Sequence, residues 1–133
     1  MFLLHTHSGL RYLILLLGIA VVVYAVRGVA TRAPYDNRMR VMGGVFALLM
    51  DLNVFIGFVA LFGRSFQPYL IGHIIMMVFA TVAAHIVPSV MKRRPMEERT
   101  YLPHAVGAIV ALGLVVAGIL ALPAGRIFGS YVS

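Results

Sequence analysis

Cysteine is missing from this chain of 133 residues. Its absence removes disulfides, thiolate metal sites and cysteine nucleophiles. Tryptophan is missing too, so any belt of rings at a membrane surface must come from the six tyrosines and eight phenylalanines. Acidic residues are scarce: four Asp and Glu face 11 Lys and Arg, for a net charge of +7 and a pI near 10.6. No hydrolase motif, phosphate-binding loop or zinc signature is present, so nothing marks the chain as an enzyme by itself.

What the chain has in abundance is apolar surface. It is 62% hydrophobic and only 11% charged, with a mean hydropathy of +0.98. A soluble domain of this length could not hide so many apolar side chains, so the whole chain, 1–133, reads as one domain in a lipid bilayer. The basic excess then sets topology and meets anionic head groups; nucleic acid is not an expected partner. The opening MFLLHTHSG has no basic stretch and no small-residue cleavage site, which predicts that the first span is retained.

Four apolar runs are expected to span the bilayer, at about 10–26, 41–62, 69–90 and 102–122. Each has roughly 17–22 residues, enough to cross a hydrocarbon core of about 30 Å. Ser8 is the expected N-cap of the first, with His7 just before it, and Pro103 suits the first turn of the fourth. Short loops predict an all-α fold: an integral membrane, four-helix, up-down antiparallel bundle. Arg27, Arg32, Arg38 and Arg40 crowd the first loop; Lys92, Arg93, Arg94 and Arg99 crowd the third. Arg11, Arg64 and Arg126 are the other cations. The positive-inside rule therefore places loops 27–40 and 91–101 in the cytoplasm and both termini on the outer side. Glycine and alanine recur in the spans, among them Gly43, Gly57, Ala80, Ala84, Ala108, Ala111 and Gly118. Such residues let helices approach closely, or open a slot for a flat cofactor.

Polar side chains inside these spans need a reason, because hydrocarbon offers them nothing. The third span, YLIGHIIMMVFATVAAHIVPSV, carries His73 near one end and His85 near the other. The five histidines fall into two tiers: His5, His7 and His73 outside, His85 and His104 inside. His73 and His85 stand about 18 Å apart along a helix and about 120° apart around it. They therefore face different neighbours, span one for His73 and span four for His85. Imidazoles from facing helices can grip haem iron from both sides, and four-helix bundles host haem. The expected ligands are His7 and His73 in the outer tier, with Arg11 one turn on for a propionate, and His85 with His104 in a weaker inner tier. For His5 and His104, simple hydrogen bonding at the interface is the favoured alternative; for His73 both roles stand open. Asp51 lies near mid-membrane with Asn53 beside it. It reads first as a packing lock, then as a proton relay or quinone partner. Met42, Met50, Met76, Met77 and Met91 do not cluster as a copper site would and read as gap-fillers.

Three stretches carry a resemblance: His-Thr-His-Ser-Gly-Leu-Arg-Tyr at 5–12, Asp-Leu-Asn-Val-Phe-Ile-Gly at 51–57 and His-Ile-Ile-Met-Met at 73–77. They resemble a family of small four-helix bacterial membrane proteins described as cytochrome b-like or uncharacterised. The likeness covers much of spans one to three and little of span four. It implies a four-helix bundle and a haem or electron-transfer setting, with His7, Arg11, Asp51 and His73 as the distinctive polar set. It supports His85 more weakly and does not reach His104. The expected function is a small b-type cytochrome-like subunit of a respiratory or photosynthetic complex, holding one or two haem b groups. A quinone near His73 and Tyr12 or Tyr69 is a further expectation, as are other membrane subunits or a second copy as partners. Two alternatives stand beside it: a haem-free structural subunit, and a small proton-coupled transporter working through Asp51.

Overall fold

In the computed structural model, which describes residues 2–123, the chain is four helices with no strand among the described residues. The helices are α1 (Phe2–Thr31), α2 (Asn37–Phe62), α3 (Leu70–Arg93) and α4 (Leu102–Leu120), with one 3₁₀ turn at Met96–Glu98. All four are long and apolar enough to cross a membrane. Their outward faces are lined by large apolar side chains such as Leu16, Leu48, Phe55, Val82 and Ile109, as a hydrocarbon solvent requires. The expected tail at 124–133, with Arg126, lies outside the described residues.

Successive helices pack side by side and α1 closes the ring against α4. They run antiparallel: the start of α1 meets the end of α2 (His7 on Asn53 and Gly57), and the end of α1 meets the start of α4 (Gly28 on Tyr101). Across the ring, α2 touches α4, whereas the backbones of α1 and α3 do not meet. That open diagonal is what leaves room for a site.

The helix boundaries correct the sequence reading in one respect that matters. The first helix begins at Phe2, so Ser8 is not its cap but lies inside it. Nothing in residues 2–8 breaks a helix, and His7 is held from α2 by a tertiary hydrogen bond. The extension puts His7 in phase with Arg11, Ile14, Gly18, Val21, Ala25 and Gly28, one stripe at three- and four-residue spacing that faces inwards. The first and third linkers also prove shorter than expected. The first helix runs on to Thr31 and ends with Arg32 at φ 53°, where the Ala33 amide reaches back to the Gly28 carbonyl. Asp36 caps α2 by accepting the Arg38 amide at 3.0 Å. The third helix continues through Pro88 to Arg93, and α4 stops at Leu120.

In the core, small residues lie beside larger ones, with alanines most frequent on α3 and α4. Ala80, Ala84, Ala105, Ala108 and Ala111 let Phe46, Met39, Met50 and Val21 fill the centre. The ring of Tyr101 lies against Gly28, where any Cβ would collide with it.

Candidate functional site

At the end of the bundle that holds His7, the open diagonal becomes a cavity of about 370 Å³. That is within the range of small-molecule and cofactor sites. Its walls are mostly apolar, from all four helices, and its polar groups are few: His7, Ser8, Arg11, Asn53, Arg64, Tyr69 and His73.

The two histidines are brought together across the diagonal. Their ring centroids are 6.2 Å apart, with planes at 87°. Each ring is oriented by a backbone carbonyl. His7 Nδ1 lies 2.9 Å from the Asn53 oxygen, and His73 Nδ1 lies 2.9 Å from the Gly118 oxygen. A carbonyl can only accept, so both Nδ1 atoms carry hydrogen and donate. Both Nε2 atoms therefore keep a lone pair. This is the arrangement that prepares imidazole to bind a metal: one nitrogen fixed by an outer hydrogen bond, the other available. Two imidazoles holding one metal from opposite sides through Nε2, at about 2 Å each, would have centroids about 6 Å apart, the order of separation seen here.

Glycines make this possible. The His7 ring lies on Gly57, where a Cβ would stand within 2.9 Å of Nδ1, so any larger residue would push the imidazole away. Gly118 offers its carbonyl to His73 while Met76 and Met77 occupy the space a side chain would need. Close backbone approach is the physical use of glycine here.

Two cations and an amide complete the lining. Arg11 is buried to 5% exposure, donates to the Tyr12 hydroxyl at 2.9 Å and lies over that ring at 4.7 Å. Arg64 stands at the mouth and is exposed. Permanent cations beside an apolar cavity favour a ligand that brings carboxylates. The Asn53 side-chain oxygen is buried without a hydrogen-bond partner among the described residues. The donor set, the glycine cradles and the cations together fit a flat, metal-centred, carboxylate-bearing group. A three-residue cluster of His, Asp or Glu for a bare metal ion is absent among the described residues.

The remaining site candidates go elsewhere. His5 is exposed on α1. His85 does not face α4 as expected: it reaches α2, where its Nε2 lies 2.8 and 2.9 Å from the two Asp51 carboxylate oxygens. His104 is buried, with Nε2 2.8 Å from the Tyr35 hydroxyl and its ring stacked on Tyr35 at 5.7 Å. So His85 and His104 are not brought together; each has its own side-chain partner. Asp51 and Asn53 are two residues apart yet face opposite ways, Asn53 into the cavity and Asp51 out of it. Tyr69 lines the cavity, whereas Tyr12 serves Arg11.

Sequence reasoning missed the tyrosine cluster at the other end. The Tyr101 hydroxyl donates to the Pro34 carbonyl at 3.0 Å and accepts the Asp36 amide at 2.9 Å. Tyr24 donates to Asp36 at 3.2 Å. Three tyrosines flanking the two basic loops were the available signal. Burial holds the Tyr35 pKa above the usual tyrosine value, because the phenolate would lose its hydration.

Comparison of the chain with protein-family models, with curated proteins and with solved structures finds no match.

Proposed function

We propose that the chain is a small b-type cytochrome-like membrane subunit that holds one haem between α1 and α3. The observation that carries this reading is the pair of imidazoles 6.2 Å apart, each with Nδ1 committed to a backbone carbonyl. A bound haem would supply one-electron chemistry at its iron. The protein's part is to hold, orient and shield. His7 and His73 would hold the iron, with the Asn53 and Gly118 carbonyls fixing their tautomers and raising their basicity. Arg11 and Arg64 would receive the propionates. Ile14, Met50, Met77 and Val115 exclude water, which favours a neutral ligand set and a stable redox centre.

A subunit holding haem here would serve electron transfer within a larger respiratory or photosynthetic assembly, since its described residues lie almost wholly in the four helices. It sits in a bacterial cytoplasmic membrane with loops 27–40 and 91–101 in the cytoplasm and both termini outside, as the charge of those loops dictates. The cavity then opens at the outer face.

The test is the absorption spectrum of the detergent-purified protein, oxidised and reduced. A Soret band that shifts on reduction is expected, and His7→Ala or His73→Ala should abolish it while the helical circular dichroism persists. A folded chain that stays colourless even after incubation with haemin overturns the proposal.

A further inference from the structure

The Asp51–His85 dyad has no place in the cavity. It lies on the outward side of the α2–α3 seam, near the middle of both helices, at a depth where a bilayer contains only hydrocarbon. Although the two side chains hold each other, they are still 43% and 45% exposed. Polar groups open to lipid at this depth are costly and normally face protein.

Proton counting shows what the dyad offers outwards. With no net charge it holds two protons, whichever partner bears the formal charge: one between Nε2 and the carboxylate, one on Nδ1. The outward surface thus presents an N–H donor beside carboxylate lone pairs. No described residue accepts from Nδ1. A donor and an acceptor side by side are self-complementary under a two-fold rotation. Because they bond to each other, Asp51 and His85 stand at one depth, and rotation about the membrane normal keeps them level.

The surrounding surface suits a helix pair. Gly44, Leu48, Asp51 and Phe55 form one stripe along α2, with Leu48 and Phe55 exposed. Space in front of Gly44 is open, a notch that permits close approach. Val82 on α3 is exposed one turn from His85, and α3 is the least buried of the four spans. The dyad lines neither the large cavity nor the small one beside His104.

We infer that this face is the interface of a parallel two-fold dimer, in which His85 of each copy donates to Asp51 of the other. The inference is independent of the haem reading.

The absence of native cysteine makes the test clean. Two differently tagged chains, one Phe55→Cys and one Val82→Cys, are co-expressed and oxidised in the membrane. The expected result is a covalent dimer carrying both tags. Adding His85→Ala to both chains should lower its yield about tenfold, the scale of two polar contacts between membrane helices. Asp51→Ala, which removes the accepting oxygens, should lower it similarly. Three outcomes overturn the inference: no crosslink in the otherwise native chain, crosslinking indifferent to both dyad variants, or a monomer that purifies with equimolar quinone and loses it on Asp51→Ala.

Discussion

At one end of the bundle, His7 and His73 commit Nδ1 to backbone carbonyls and keep Nε2 for a cavity. At the other end, His104 commits Nε2 to Tyr35 and lies stacked beneath its ring. The residue type is the same; the partner differs, and His104 is buried whereas His7 and His73 are part-exposed. A carbonyl fixes a ring and leaves its second nitrogen with a lone pair. A tyrosine hydroxyl or a carboxylate on Nε2 occupies the very atom that would bind metal most readily. Packing follows the same division. Glycine beneath His7 cradles a ring beside open space, whereas glycine beneath Tyr101 closes the bundle. One end leaves a cavity between the helices, and the other closes them together.

The largest effect that would break this contrast is spectral. His7→Ala should remove bound haem altogether, while His104→Ala should retain it and instead lower the thermal midpoint. Equal loss of colour in both would erase the distinction. Gly57→Val comes next. Its side chain would displace the His7 imidazole, and difference spectra should show most of the low-spin signal lost with little change in melting. At the opposite end, Tyr101→Phe removes a hydroxyl that serves both Pro34 and Asp36. Loss of those bonds should cost about 1–3 kcal/mol in detergent unfolding, with the spectrum unmoved.

Two smaller effects sharpen the picture of the tyrosine end. Tyr35 has its pKa raised by burial, so the folded chain binds that proton more tightly than the unfolded one. The stability it contributes is whole below about pH 10 and is lost as pH rises through the higher folded value. Melting curves taken across that range should decline less steeply in Tyr35→Phe. Arg32 adopts the left-handed region at φ 53°. Arg32→Gly should stabilise by about 1 kcal/mol, seen as a rise of a few degrees in the midpoint.

Composition and hydropathy were enough to establish four apolar helices, because membrane-length runs of nonpolar residues have few other solutions. Periodicity was also enough to show that His73 and His85 face different neighbours, since 12 residues do not return to the same side of a helix. It did not say which neighbours. His85 was assigned to α4 and reaches α2, and the order of helices around the ring is not written in any one of them. The start of α1 was misread for a related reason. Ser8 has the chemistry of a cap, but a contact from α2 carries the helix past it.

The chain's residues alone determined that it is helical, apolar through its length and marked by a handful of polar groups at definite depths. Hydrophobic run length and helical rise are local quantities. Which imidazole kept a nitrogen for a ligand, and which surrendered it to Tyr35 or Asp51, only the tertiary structure decided. That choice depends on hydrogen-bond partners 34 to 69 residues distant in sequence, and distance along the chain says nothing of who meets whom across a bundle.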